Sequence, residues 1–158
     1  MIRTVSLCVI RRGEELLLEE FFDEDVGITY YRPIGGTVEY GESSKITVIR
    51  EVKEEIDADI SEPILIGVIE NIFNYQDQIG HENDFIYEAE LMNRSLYDLE
   101  EIDGIEGSKP YKAVWKPLHY FKGNLTVKLV PDGLLELLQE GTDGRYIKHL
   151  SKRYLEGI

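Results

Sequence analysis

Three glutamates, Glu51, Glu54 and Glu55, stand at positions i, i+3 and i+4 of the segment Arg50-Glu51-Val52-Lys53-Glu54-Glu55. On a helix they are surface neighbours, and like charges at that spacing destabilise it by roughly 0.2–0.5 kcal/mol per pair. Near the C-terminal end of such a helix they also face the negative end of its dipole. Something positive must compensate. Arg50 and Lys53 supply part of that charge, and hard divalent cations such as Mg²⁺ or Mn²⁺, which prefer carboxylate oxygens, suit the rest of the cluster. For an isolated run of this kind a solvated acidic face is the competing explanation.

The surroundings of the run bear on that choice. Upstream stand Gly35-Gly36 and Glu42, and the order Gly36, five residues, Glu42, seven residues, Arg50-Glu51-Val52-Lys53-Glu54-Glu55 has a definite spacing. It resembles the Nudix box of the MutT-like hydrolases, G-x5-E-x7-R-E-U-x-E-E-x-G-U with U apolar. Seven of the nine defined positions match: Gly36, Glu42, Arg50, Glu51, Val52, Glu54 and Glu55. Two depart: Asp57 stands in place of glycine, and Ala58 is smaller than the aliphatic residue expected. Asp enters positive φ less readily than Gly, so the departure bears on the helix exit and leaves the acidic face intact.

The resemblance implies an α/β fold, an α/β/α sandwich around a mixed sheet, with one domain over residues 1–158. It implies a Mg²⁺- or Mn²⁺-dependent pyrophosphohydrolase acting on a nucleoside diphosphate linked to another group: a nucleoside triphosphate, dinucleoside polyphosphate, ADP-ribose or nucleotide sugar. Glu51, Glu54 and Glu55 would hold the cations with the backbone carbonyl of Gly36, and with Glu42 as a further candidate. Glu51, Glu54 and Arg50 form the expected catalytic set, Arg50 pairing with a glutamate through its guanidinium fork. The family places its proton acceptor either on this helix or on a distant loop; Glu82, Asp84, Glu100, Glu101 and Glu106 are the loop alternatives. Tyr75, seventeenth after Ala58, matches a mark of the dinucleoside polyphosphate branch.

Other residues carry two readings each. Gly35 permits close backbone approach to a ligand or serves a plain turn. Arg32 meets a phosphate or is an exposed strand residue. Phe73, Tyr75 and Tyr87 could stack on a base, although sheet packing is the commoner use of an aromatic. Trp115 reads as core, and His81 as a loop residue without a role.

Residues 3–10 and 14–22 form two apolar-rich runs around Arg11-Arg12-Gly13, a strand hairpin. Ile28–Arg32 reads as a strand, Pro33-Ile34-Gly35-Gly36 as a glycine loop and Thr37–Glu39 as its continuation. From Ser43 to about Ile56 the apolar period becomes helical, with Ser43 or Ser44 as N-cap. At about 100° per residue Ile46, Ile49, Val52 and Ile56 share one face, opposite Glu51, Glu54 and Glu55. Residues 64–69 and 85–91 suggest a second hairpin. The polar stretch 93–110 reads as a surface loop, Ala113–Trp115 as a strand, Pro131 onward as a helix start, and 144–156 as a further amphipathic segment.

Composition sets the outer bounds. With 158 residues, 42% of them hydrophobic, the chain fits one globular domain rather than a disordered segment. Its net charge of −14 repels polyanions, which argues against polymeric nucleic acid and anionic membranes as partners. A small phosphorylated substrate then requires cations to neutralise the facing carboxylates. The single cysteine, Cys8, lies in an apolar run, and no run reaches the roughly 18 apolar residues of a membrane span. A cytoplasmic location follows as the expectation, with a homodimer left open. Besides an enzyme, the sequence admits a nucleotide-sensing module that keeps the box without turnover, or an acidic interaction protein.

Overall fold

The computed structural model describes residues 1–140 and the backbone of 148–154. The strands are β1 (Arg3–Val9), β2 (Arg11–Arg12), β3 (Glu15–Asp23), β4 (Ile28–Thr37), β5 (Ile64–Tyr75), β6 (Gln78–Glu88), β7 (Glu101–Glu106), β8 (Lys109–Pro117), β9 (Val127–Leu129) and β10 (Lys148–Tyr154). The helices are α1 (Ser44–Ile56) and α2 (Leu134–Glu140). The strands run in the order β10-β5-β6-β1-β4-β3-β8-β7, with β2 on β3 and β9 on β4. The sheet is mixed, since β1 pairs parallel with β6 and antiparallel with β4.

Consecutive residues Leu7 and Cys8, and Leu16, Leu17 and Leu18, are all buried, so the central strands are covered on both faces. One face gathers Leu7, Leu18, Ile69 and Ile86 against Leu134 and Leu137 of α2. The other gathers Cys8, Leu17, Ile34 and Trp115 against Val48 and Val52 of α1. This is the expected α/β/α layering. Burial pushes the Cys8 thiol up to about 12, with the nearby Glu88 charge adding to the shift, so it is an inert core group.

β4 is one unbroken strand through Pro33-Ile34-Gly35-Gly36, where the sequence suggests a glycine loop. Its glycines serve close approach and not a turn. A Cβ on Gly35 would lie 2.0 Å from the Ser6 carbonyl oxygen and 2.8 Å from the Leu7 Cα of β1. β4 also changes partners at this point: Ile28–Pro33 pair with β3, whereas Ile34–Thr37 pair with β1.

Helix α1 starts where expected, with Ser43 accepting a hydrogen bond from the Ile46 amide. It ends on Asp57, which adopts φ 51°, ψ 44° and donates its N–H to the Lys53 carbonyl. The left-handed exit that glycine normally supplies is therefore retained. The helix is rotated relative to the wheel drawn from its apolar residues. Its buried side carries Thr47, Val48, Val52, Glu55 and Ile56, whereas Ile46 and Ile49 are exposed. The reason is that two of the three glutamates face the sheet: Glu51 lies against Gly36 of β4 and Glu55 is buried, while Glu54 stays exposed.

Two further expectations change. β5 and β6 extend through the polar stretch between them to a two-residue turn at Gln76 and Asp77, both at positive φ, and His81 lies within β6. The polar stretch 93–110 is not a loop: it holds a short 3₁₀ turn at Arg94–Asp98 and then β7, joined to β8 by a tight hairpin. The 144–156 segment lies partly outside the described residues; its portion 148–154 is strand β10, parallel to β5. Trp115 packs in the core against Tyr97, beneath the Arg12 guanidinium.

Asp84 of β6 is 1% exposed, and neither of its carboxylate oxygens has a hydrogen-bond partner among the described residues. Burial, then the Glu82 charge, pushes its pKa from the ordinary 3.8 up to about 8, although Arg32 and Arg3 pull it down. Between those two values the folded chain holds a proton that the unfolded chain has released, so this group's contribution falls as pH rises from about 4 to about 8. Asp84→Asn should therefore raise Tm at pH 8, with the gain shrinking towards pH 4. Melting curves across that range check it; a gain independent of pH would refute the assignment.

Candidate active site

Three features of the local fold bring the acidic side chains together. The first is Gly36, whose missing Cβ would sit 2.5 Å from the Glu51 carboxylate carbon, so only glycine lets that carboxylate lie on the β4 backbone. The second is Arg50. Its Nε and Nη2 donate to the two oxygens of Glu42 at 2.7 and 2.9 Å, and its Nη1 donates to Glu51 at 2.9 Å and Glu54 at 3.1 Å. One guanidinium thus organises three carboxylates and also reaches the Thr37 carbonyl. The bond from Arg50, helped by the Thr47 hydroxyl, draws the Glu42 pKa down to about 2. The same partners, Glu42 first, hold the Arg50 guanidinium firmly charged.

The third feature is the β7–β8 hairpin, which places Glu106 beside α1. Glu19 of β3, Glu55 of α1 and Glu106 each offer a carboxylate oxygen, and these lie within 4.8 Å of one another. Glu19 and Glu55 are buried. Burial first, then a hydrogen bond with Glu106, pushes the Glu19 pKa up to about 7. Burial, then a hydrogen bond with Glu51, pushes Glu55 up to about 8, against the pull of Tyr111 and Arg32. Glu51, Glu54, Glu55, Ile105, Glu106 and Gly107 line a cleft of about 280 Å³.

This donor set fits a hard cation. Octahedral Mg²⁺ with oxygens at about 2.0–2.1 Å has ligand separations of roughly 3–4 Å, and larger oxygen-ligated ions span somewhat more. All-oxygen carboxylate chemistry is that of Mg²⁺ or Mn²⁺ rather than of a soft metal. Protons and cations compete for the same buried oxygens.

The sequence-derived residues fall into three groups. The three box glutamates share the cleft, and Gly36 and Arg50 abut Glu51. Arg32 lies within the carboxylate group: its Nη2 contacts Glu19 Oε2 and the Gly35 carbonyl, each at 3.4 Å. Burial works against its charge, but Glu19 and then Glu106 outweigh that and hold it protonated. Tyr75 is not brought to the cleft. It ends β5 beside the Gln76-Asp77 turn and is 59% exposed.

The loop alternatives separate as well. Glu106 lines the cleft, whereas Glu82 pairs with Arg3, Glu101 with Lys112, and Asp84 is buried in β6. Phe73 covers Gly80 across its own hairpin, and the Tyr87 hydroxyl bonds Ser44, so both aromatics have packing roles. Glu19 is a further residue of the carboxylate group that no motif in the sequence singles out. It shares a strand face with the buried Leu17, but Glu15, Phe21 and Asp23 on that face are not core, so the local order gives it no mark.

The NUDIX domain family model matches residues 1–124. The chain belongs to the Nudix family. Family membership makes it a hydrolase acting on phosphoric anhydrides. Comparison with curated proteins finds no match. Among solved structures, the chain is similar to a MutT NUDIX hydrolase from Burkholderia pseudomallei, at 20% identity and TM-score 0.63, covering 90% of this chain and 99% of that one. It is also similar to an ADP-ribose pyrophosphatase from Streptococcus suis 89-1591, at 15% identity and TM-score 0.60, covering 95% and 98%. A MutT protein from Methanosarcina mazei Go1 shares 18% identity at TM-score 0.59, covering 88% and 91%. At such identities these neighbours establish the fold alone. Among the described residues, no helix is long and apolar enough to cross a membrane.

In the cation-free Nudix chain, Glu19 and Glu55 retain protons up to about pH 7 and 8 respectively. Their raised values mean that stability falls as pH rises from the ordinary 4.5 through those values. A cation that replaces the protons should offset this loss. The Tm gain from added Mg²⁺ or Mn²⁺ should therefore grow from about pH 6 to about pH 8.5, and calorimetry at each pH checks it. A gain that shrinks over that range would contradict the assignment.

Proposed function

We propose that this chain is a Mg²⁺- or Mn²⁺-dependent pyrophosphohydrolase that cleaves a phosphoanhydride bond in a nucleoside diphosphate linked to another group. The observation that carries the reading is the convergence of Glu19, Glu55 and Glu106 within 4.8 Å, beside a cleft that Glu51 and Glu54 also line. Glu51, Glu54 and Glu55, with the Gly36 carbonyl, are the proposed ligands; Glu19 and Glu106 extend the set. When bound, the cation supplies charge neutralisation for the non-bridging phosphate oxygens and acidifies water.

The chain's own groups supply the rest. Arg50 fixes the rotamers of Glu51 and Glu54 and leaves part of each carboxylate free. Arg32 offsets the charge of Glu19 and reduces the repulsion that an anionic substrate would meet. Glu106, at the end of β7, is the candidate acceptor for the proton of the attacking water, with Glu51 as the competing acceptor on the helix. Nucleoside triphosphates, dinucleoside polyphosphates, ADP-ribose and nucleotide sugars are the candidate substrates. A small cytosolic metabolite also fits the cytoplasmic location expected from the sequence.

A panel of these compounds tests the reading. At least one should be hydrolysed, with activity lost on chelation and restored by Mg²⁺ or Mn²⁺, and Glu54→Gln should lower kcat by about 100-fold or more. Tight nucleotide binding without turnover of any compound would favour the sensor instead. Gly36→Ala gives a second check. The added methyl meets only the end of the Glu51 side chain, so the fold should survive while activity drops by at least about tenfold. Retention of full activity would remove Glu51 from the proposed site.

A further inference from the structure

The carboxylates at the cleft are held from two sides. Arg50 grips Glu42, Glu51 and Glu54, but a different group reaches Glu55: the Tyr111 hydroxyl donates to its Oε1 at 2.8 Å. Tyr111 lies on β8, directly across from Gly104 on β7. A Cβ on Gly104 would come within 2.5 Å of the Tyr111 ring, so the bare backbone of β7 is the surface on which that ring rests. Two residues beyond Gly104, the same hairpin carries Glu106. It thus contributes a carboxylate of the cluster and, through Tyr111, the hydrogen bond that orients another.

We infer that Tyr111 is a positioning residue: its hydroxyl holds the Glu55 carboxylate in the orientation in which it takes a cation, and Gly104 makes room for the ring to do so. This rests on the cation-binding reading above. The chemistry favours a donor at that point. An ionised carboxylate only accepts, and a hydroxyl on Oε1 fixes the group's rotation while leaving Oε2 for a cation shared with Glu19 and Glu106. A phenol, with an ordinary pKa of about 10, carries its proton at neutral pH and is the donor of this bond. The arrangement parallels the general rule that partners of metal ligands set ligand orientation, with losses of about 10–100-fold in metal affinity when they are removed.

The test uses the full chain and Mn²⁺ alone, with free Mn²⁺ followed by electron paramagnetic resonance at fixed pH, on the parent, Tyr111→Phe, Glu55→Gln and the double variant. Phe keeps the ring on Gly104 and removes only the hydroxyl. Tyr111→Phe should weaken Mn²⁺ binding by about tenfold with little change in Tm. Its activity loss should be recovered by raising Mn²⁺, leaving substrate KM unaltered. In the Glu55→Gln background the same substitution should have no further effect, because the group it acts through is gone. Parent-like Mn²⁺ affinity in Tyr111→Phe, or an undiminished effect in the double variant, would overturn the proposal. If the parent itself binds no Mn²⁺, all four proteins read alike and the cation-binding reading falls with it. Gly104→Ala separates ring placement from a folding defect: it should reproduce the affinity loss in a chain that still melts cooperatively, and parent-like affinity there would count against the role of the ring.

Discussion

A carboxylate can lie flat against a strand only where that strand carries no side chain, and the whole cleft depends on this condition being met at Gly36. Glu51 occupies the space a Cβ would fill. Its placement turns α1 so that Glu55 goes under the helix with Val48 and Val52, while Ile46 and Ile49 are left at the surface. An amphipathic helix docked by its aliphatic residues alone would have pointed its glutamates at bulk solvent, where repulsion is screened and little is bound. Here the acidic side of the helix is an interface with β4.

Crowding follows from that docking, and the chain handles it in two ways. Around Arg50 the carboxylates share one cation: a two-pronged bond holds Glu42, whose carboxyl is drawn well below its usual range, and single bonds reach Glu51 and Glu54. Around Glu19, Glu55 and Glu106 the compensation is weaker, because the half-buried Arg32 makes one long contact to Glu19. Glu19 and Glu55 respond by holding protons more tightly. High proton affinity and high affinity for a hard cation have the same origin, an excess of desolvated negative oxygen.

Much of this is legible in the residue order, and the unread parts have physical causes. The spacing from Gly36 to Glu55 identifies the helix, its N-cap and its acidic cluster, because those depend on local sequence separation. The central strands show as apolar runs, since burial on both faces removes alternation. Less legible is the role of Gly35 and Gly36: glycine's absence of a side chain looks the same whether it serves a turn or a close contact, and only the neighbouring Ser6 and Glu51 distinguish them. β7 is hidden because half of its residues are acidic and most are exposed, so neither period nor hydropathy marks it. Glu19 and Tyr111 join the site through sheet pairing across long sequence separations, which no local pattern encodes.

The partner exchange along β4 also has a mechanical consequence. Because its first half is pinned to β3 and its second half to β1, the strand bearing Arg32, Gly35 and Gly36 acts as a rivet between two panels. Sliding one panel over the other would break ladder bonds on both sides at once. The cleft's inner wall is therefore stiff, whereas its outer wall, the hairpin of β7 and β8, ends the sheet, with β7 paired to β8 alone among the described residues. Any breathing that admits or releases a bulky anion belongs to that free border, with the riveted strand serving as the anvil.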